Sequence, residues 1–254
     1  MIMLYFSGTG NSKYIAELFS ESMNISCYSI EEDVNFKDII TSEEIIGFCY
    51  PIYYSRIPKI LREFVHQHMN SLKDKKIIIF CTQQILSGDG TRAFTDLFDK
   101  GYIQVIYTEH FFMPSNIFPI ITNQEKIARY VNNSKQKMQY VCQDIKTGKI
   151  KKRGFNVVSR ALGLLQAPLI LPCERKASNS IRVTEDCTKC GLCVSICPMN
   201  NFTIESNVVK HNHNCTICSR CVNKCPNKAI KVFFYGKVKK QYPGVMTGGS
   251  YEIS

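Results

Sequence analysis

The stretch YFSGTGNS at residues 5–12 directly follows the apolar residues 1–4. It contains two glycines, two serines, a threonine and an asparagine, and an apolar helical pattern with Tyr14, Ile15 and Leu18 comes after it. A glycine- and hydroxyl-rich loop between a strand and a helix is typical of phosphate binding, because the helix N-terminus offers N–H groups and a favourable dipole to an anion. The stretch therefore predicts a phosphate site on an α/β fold.

The loop also indicates which phosphate it suits. A nucleotide P-loop needs a lysine after its second glycine, and Gly10 is followed by Asn11. A dinucleotide fingerprint needs a third glycine where Lys13 stands. What remains is a socket for a terminal phosphate monoester, and a plain polar strand–helix turn is the alternative. The predicted binding residues of this loop are Ser7, Thr9, Gly10, Asn11 and Ser12.

The first 146 residues alternate apolar strands with amphipathic helices. We predict five strands, at 1–6, 25–30, 44–50, 76–82 and 102–113, and a long helix at 123–146. Near-continuous apolar strands between helices are typical of a parallel sheet that is covered on both faces. Right-handed crossovers then give a doubly wound arrangement.

Eight of the thirteen cysteines fall within residues 187–225, in an internal repeat. CTKCGLCVSICP (187–198) and CTICSRCVNKCP (215–226) both read C-x2-C-x2-C-x3-C-P. In such runs three cysteines bind one 4Fe–4S cluster and the fourth binds the other cluster of the pair. The predicted ligand sets are Cys187, Cys190, Cys193 and Cys225 for one cluster, and Cys215, Cys218, Cys221 and Cys197 for the second. Structural zinc is the alternative, although it prefers separate C-x2-C pairs.

Residues 180–234 resemble bacterial-type two-cluster ferredoxins, and residues 1–146 resemble flavodoxins through YFSGTGNS. The whole chain is similar to flavodoxin–ferredoxin fusion proteins. The resemblance implies an α/β fold: a flavodoxin-like doubly wound five-stranded parallel sheet, of order 2-1-3-4-5, with a second, smaller α+β ferredoxin-like iron–sulfur domain. It also implies FMN and two 4Fe–4S clusters as cofactors, with FMN at the switch point of the sheet.

Two further FMN loops follow from the resemblance. The loop after the third strand would contribute Pro51, Ile52, Tyr53 and Tyr54, and the loop after the fourth would contribute Thr82 and Gly88. The two tyrosines could equally be core or surface residues. Flavodoxins commonly have a glycine in the first of these loops, where a peptide flip favours the half-reduced flavin. Segment 51–58 has no glycine, which predicts that FMN behaves here more as a two-electron centre.

The predicted organisation is an FMN-binding domain at 1–146, a basic and apolar connector at 147–179, a two-cluster domain at 180–235 and a C-terminal tail at 236–254. We expect the tail to be extended or poorly ordered. Within the connector, residues 155–171 could lie on a membrane surface. We favour a connector that packs against both domains, because no clean helical stripe is evident.

Charge and composition limit the classes of partner that the chain could bind. The formal net charge of +11 would fall to about +5 once two oxidised clusters and the FMN phosphate are counted. The remaining positive charge could attract a redox partner with an acidic surface. Residues 146–155, with one phenylalanine, are thin support for nucleic acid, so we expect none. No apolar run is long enough for a membrane span. The absence of a basic signal-peptide start and the clustered cysteines favour a reducing, cytoplasmic location.

The motifs together predict an electron carrier that exchanges electrons between FMN, two clusters and a redox partner. The alternative is an FMN-dependent reductase of a small acceptor, fed by its own clusters. A redox sensor is a third hypothesis, but the sequence has no recognisable output domain.

Overall fold

The computed structural model describes residues 1–53, 56–84, 89–116, 123–231, 238 and 240–245. Within these ranges the helices are α1 (Asn11–Met23), α2 (Phe36–Ser42), α3 (Lys59–Gln67), α4 (Met69–Leu72), α5 (Gly90–Thr95), α6 (Gln124–Lys146), α7 (Val157–Ser180), α8 (Leu192–Ser195) and α9 (Arg220–Lys224). The strands are β1 (Ile2–Tyr5), β2 (Cys27–Ser29), β3 (Ile45–Pro51), β4 (Lys76–Gln83), β5 (Gln104–Phe112), β6 (Lys151–Lys152), β7 (Arg182–Val183), β8 (Phe202–Glu205), β9 (Val208–His211) and β10 (Ile230–Lys231).

The large sheet has the order β2-β1-β3-β4-β5-β6, and its neighbouring strands are parallel. The predicted five-strand order is confirmed, and β6 adds a sixth, unpredicted strand at the edge. At two residues β6 is too short to show an apolar pattern. It is held by its surroundings: the carbonyl of Arg153 accepts hydrogen bonds from the hydroxyls of Thr91 and Thr108, each at 2.8 Å.

Both faces of this sheet are buried, as the apolar strands predict. On one face Leu4, Phe48 and Ile79 pack in a core that includes side chains of α3 and α5. On the other face Met3 and Ile78 pack in a core that includes side chains of α1 and α6. Burial on both faces leaves the carboxyl ends of the strands as the place where loops can form a binding site.

The second domain is small and α+β. Strands β7 and β10 pair antiparallel, and β8 and β9 form an antiparallel hairpin. Its core includes Ile181, Phe202, Val222 and Ile230, with six of the motif cysteines packed against it.

Residues between the two domains form the 24-residue helix α7. The helix continues through Pro168 and Pro172, which each lack an N–H and therefore free the carbonyl four residues earlier. Gly163 and Ser178 are buried, whereas Leu164 and Leu165 are exposed. The sequence predicted no helix for this segment, and the described exposed apolar side chains of α7 share one face.

The described part of the tail is irregular in secondary structure but well packed. Tyr242 is 1% exposed and Val245 is also buried. The tail residues pack against the first domain, where Tyr242 and Val245 belong to the core beside α1.

Among the helices that the structure describes, none combines the length and apolar character needed to cross a membrane.

Candidate cofactor sites

A cavity of about 320 Å³ opens at the carboxyl ends of β1, β3, β4 and β5. Sites of this size hold small cofactors. The structure brings eight of the predicted residues together around it: Ser7, Thr9, Asn11, Ser12, Pro51, Ile52, Tyr53 and Thr82. Gly10 lies in the same loop as the N-cap of α1. Tyr54 and Gly88 lie outside the described residues.

The phosphate loop is shaped by Gly10 and Ser7. Gly10 has φ +100°, a conformation that side-chain-bearing residues rarely adopt. Its N–H donates to Ser7 Oγ at 3.0 Å, and its carbonyl accepts the N–H of Tyr14 at 2.9 Å, so the helix starts directly at the loop. The buried hydroxyls of Ser12 and Thr82 are 2.7 Å apart, which ties the loop to the end of β4.

Residues after β5 complete the cavity, and the sequence assigned them no role. Pro114, Ser115 and Asn116 line it. Asn116 donates to Thr9 Oγ1 at 2.9 Å, and Asn11 donates to the carbonyl of Pro114 at 2.8 Å. Their position directly after the carboxyl end of β5 was the one available signal. The amide of Asn11 is thus occupied in bracing the loop.

Two residues that line the cavity, Tyr53 and Gln83, each carry a buried side-chain oxygen. Tyr53 Oη and Gln83 Oε1 are buried and have no hydrogen-bond partner among the described residues. A buried polar group without a partner is costly, so such groups usually face a ligand or water. Burial raises the pKa of Tyr53 well above its usual value, and the nearby Cys218 raises it further, so the phenol stays protonated and can donate. The cavity thus combines hydroxyls and a helix N-terminus, which fit the phosphate of FMN, with Pro51, Ile52 and Tyr53, which fit its ring.

The motif cysteines surround two separate cavities. Cys187, Cys190, Cys193 and Cys225 line the first, which we call the outer site. Cys215, Cys218, Cys221 and Cys197 line the second, which we call the inner site. The fourth cysteine of each run therefore faces the cavity of the other run, as the spacing predicts. Cys221 also reaches the wall of the outer site.

Backbone N–H groups point at the sulfurs in both halves of the repeat. Lys189 and Ile217, 28 residues apart, donate to Cys187 Sγ and Cys215 Sγ at 3.4 and 3.3 Å. Both donors have φ near +60°, and this left-handed turn aims the N–H inward. Asn201 and Ala229 donate in the same way to Cys197 Sγ and Cys225 Sγ, each at 3.3 Å. Thiolates with such donors match iron–sulfur ligands, whose potential depends on hydrogen bonds to sulfur.

The two sites differ in burial. Cys190 of the outer site is exposed, whereas Cys218 of the inner site is buried. Burial raises the pKa of the Cys218 thiol to about 12 and that of Cys215 to about 11. Binding of iron to these thiols therefore has to release their protons.

The inner site lies directly against the phosphate loop. A Cβ built on Gly8 would lie 2.9 Å from the Cβ of Cys218 and would clash with the Cys218 carbonyl oxygen. Arg220, two residues later, donates to the carbonyls of Ser7 and Gly8 at 2.8 and 3.2 Å. Its guanidinium also forms a bidentate pair with Glu31, at 2.6 and 2.7 Å.

Further contacts fix the inner site on the first domain. Thr216, which is 2% exposed, accepts the N–H of Ile60 in the first turn of α3 at 3.3 Å. Lys59 donates to Asn214 at 2.6 Å. Pro58 at the start of α3 has no side chain that can accept a hydrogen bond from the first N–H groups of the helix. The second domain provides an acceptor for one of these groups instead.

A family model described as "Flavodoxin domain" matches residues 2–161. The chain belongs to the flavodoxin family. A model described as "4Fe-4S dicluster domain" matches residues 186–230. The chain is therefore a fusion of a flavodoxin domain and an iron–sulfur domain, which makes it an electron-transfer protein of the FMN and iron–sulfur type.

Solved structures resemble the flavodoxin domain at low identity. The two-electron reduced flavodoxin of Megasphaera elsdenii is 20% identical, with a TM-score of 0.38, covering 54% of this chain and 99% of that one. The general stress protein 14 of Treponema denticola, solved in complex with FMN, is 11% identical, with a TM-score of 0.43, covering 56% and 96%. A flavodoxin from the domain Archaea is 16% identical, with a TM-score of 0.36, covering 57% and 97%. No curated protein matches the chain.

Proposed function

We propose that this flavodoxin-type protein carries electrons between a redox partner and FMN through two 4Fe–4S clusters, used in a fixed order. The outer site exchanges electrons with the partner, and the inner site exchanges them with FMN. The contact between Gly8 and Cys218 is the observation that carries this order, because it joins an inner-site ligand to the phosphate loop. The exposure of Cys190 supports the outer site as the entrance.

The cofactors supply the redox chemistry, and the chain supplies distance and environment. A 4Fe–4S cluster exchanges one electron and FMN exchanges one or two, so a pair of clusters holds the two electrons that reduce one FMN. Fixing the three centres in one chain removes the diffusional step between them. The contacts of Thr216 with α3 and of Arg220 with the phosphate loop keep the inner site in place.

In this proposal the cofactor sites keep the predicted residues that the structure describes, which leaves out Tyr54 and Gly88. Ser7, Thr9, Gly10 and Ser12 bind the phosphate of FMN together with the first N–H groups of α1, while Asn11 braces the loop. Pro51, Ile52, Tyr53 and Thr82 lie towards the ring, with Gln83 and Asn116 added from the cavity wall.

The partner we propose has an acidic docking surface. The formal net charge of +11 is still about +5 once two oxidised clusters and the FMN phosphate are counted, and Lys189 is exposed beside Cys190. Opposite charges on two partners speed their encounter and make the rate fall with salt.

Cofactor analysis of the anaerobically purified protein tests the sites. We expect about eight iron atoms, eight sulfides and one FMN per chain. Cys190→Ser should lower iron and sulfide by about half while FMN stays bound. Cys27→Ser, which changes a half-buried cysteine far from both motifs, is the matched control and should change nothing. Zinc without sulfide would overturn the cluster assignment.

Stopped-flow reduction by a small reduced ferredoxin tests the order. Loss of the outer cluster in Cys190→Ser should slow the reduction of FMN at least about tenfold, because the entrance is removed. An unchanged rate in a variant that has lost the outer cluster would show that electrons enter elsewhere. Fast steady-state turnover of a small acceptor would favour the reductase alternative over a carrier.

A further inference from the structure

Helix α7 carries an exposed apolar face that the proposed electron transfer does not use. Val157 and Val158 are 82% and 70% exposed, and Leu164 and Leu165 are 62% and 73% exposed. Large apolar side chains this exposed and this close together usually mark an interaction site.

These side chains lie on one side of the helix. At 100° per residue, the described exposed apolar positions from 157 to 172 fall within a sector about 120° wide. They are Val157, Val158, Ala161, Leu164, Leu165, Pro168 and Pro172. The opposite side faces the protein, where a Cβ on Gly163 would clash with Asp89 and where Glu174 pairs with Arg62 at 2.8 Å. The apolar face therefore points outward because the other side of the helix is packed.

Basic residues precede and follow this face along the chain. Residues 149–180 contain seven lysines and arginines and one acidic residue, Glu174. Part of this charge is neutralised, since Lys151 and Arg153 pair with Glu109. The side chains of Arg160 and Arg175 are exposed at the border and at the C-terminal end of the face.

We propose that α7 binds the surface of an anionic lipid membrane, with its apolar face in the boundary between headgroups and acyl chains. An interfacial helix has this combination of an apolar face and flanking basic residues. The side chains form a convex ridge, which a fluid lipid boundary accommodates and a rigid protein surface would have to match with a groove. A second copy of this chain fits poorly, because pairing two such helices would bring their basic residues together.

Vesicle co-sedimentation of the holo-protein under anaerobic conditions tests the proposal, with the FMN absorbance as readout. We expect binding to vesicles of phosphatidylcholine with 30% phosphatidylglycerol, and much weaker binding to pure phosphatidylcholine. The partition coefficient should fall as salt is added, since surface electrostatics is screened. The double variant Leu164→Ser/Leu165→Ser should lower it about tenfold or more, because two large apolar side chains are lost.

The matched control is Ile204→Ser/Val208→Ser, which changes two exposed apolar residues on the β8–β9 hairpin and should leave binding unchanged. Arg160→Gln/Arg175→Gln should weaken binding to the anionic vesicles only. Absence of binding to anionic vesicles, or an equal effect of the control, would overturn the proposal. So would a wild-type dimer in solution that Leu164→Ser/Leu165→Ser converts to a monomer, since a second copy would then cover the face. Vesicle binding that depends on charge but not on Leu164 and Leu165 would also overturn the membrane proposal. It would indicate an acidic macromolecule as the partner instead.

Discussion

Gly8 of the phosphate loop lies against the backbone of Cys218, a buried residue of the inner cysteine site. The same loop lines the FMN cavity, so one short segment faces both candidate cofactor sites. No side chain larger than hydrogen fits at Gly8 without displacing Cys218.

Replacing Gly8 tests whether this contact matters for electron transfer. Gly8→Ala should push the inner site away from the loop, because the new Cβ would clash with the Cys218 backbone. We expect slower reduction of FMN by the clusters in stopped-flow absorbance, by about tenfold, with iron and sulfide content unchanged. Gly148→Ala is the control: Gly148 has φ +70° and open space around it, so it carries only backbone strain. Equal rates in the two variants would contradict a role for the contact.

Arg220 forms a polar link between the same two sites. Arg220→Gln removes the donors to Ser7 and Gly8 and leaves Glu31 without its cation. Hydrogen bonds to charged groups contribute about 1.5–3 kcal/mol each, so we expect FMN affinity to fall at least about tenfold in a fluorescence titration. Lys224→Gln, an exposed change on the same helix, should leave the affinity unchanged.

The conservative variant separates geometry from charge. Arg220→Lys retains the positive charge but cannot form the forked contacts. If positioning of the loop is what matters, Arg220→Lys should weaken FMN binding nearly as much as Arg220→Gln. A variant that binds FMN normally would show that Arg220 acts by its charge alone.

The strands, the phosphate loop and the cysteine sets were accessible from the sequence because each is a local pattern. Apolar runs such as 76–82 determine buried strands, and the cysteine spacing determines which sulfurs can share a cavity. The contacts between the domains leave no such pattern. Gly8 and Arg220 are 212 residues apart in the chain, and nothing in either motif indicates the other.

Three other features were missed for physical reasons. The prolines of α7 are typical helix breakers, so the helical face through Leu164 and Leu165 was not recognised. Tyr242 lies in a glycine-rich tail without periodicity, yet its hydroxyl donates to Asn11 Oδ1 at 2.6 Å. Asn116 was visible only as a polar residue after a strand. Such residues take their role from tertiary contacts, which a single sequence does not display.

Shortening the tail tests the contact of Tyr242. A chain that ends after Lys240 loses the hydrogen bond to Asn11 and the burial of Tyr242 and Val245. We expect FMN affinity to fall about tenfold, because the loop loses a brace at the start of α1. A chain that ends after Val245 keeps these contacts and should bind FMN like the full-length protein. Equal affinity of the two shortened chains would show that the tail does not support the loop.

Glu109, which is fully buried beside Lys137, Lys151 and Arg153, should stabilise the edge of the sheet. Burial alone would raise its pKa, but hydrogen bonds from Lys137 and Lys151 lower the pKa to about 2. Glu109→Gln leaves the three cations without an anion, and we expect a loss of about 3 kcal/mol. The temperature at which FMN fluorescence appears should then fall by roughly 10 °C at pH 7. Glu205→Gln, which changes an exposed pair with Lys210, should shift it little.

His110, next to Glu109, should make the temperature of FMN release depend on pH. Burial lowers the pKa of His110 to about 4, below about 6.5 in an unfolded chain. Between these values the unfolded chain binds the proton and the folded one does not, so stability should fall as pH decreases from about 6.5 to about 4. Glu109 adds to the loss of stability below about pH 4.3. In this range its carboxylate takes up a proton in the unfolded chain but not yet in the folded one. The temperature of FMN release, measured from pH 7.5 to 4.5, should therefore decrease with acid, and His110→Gln should flatten the slope. A slope that His110→Gln leaves unchanged would mean that another group senses the acid.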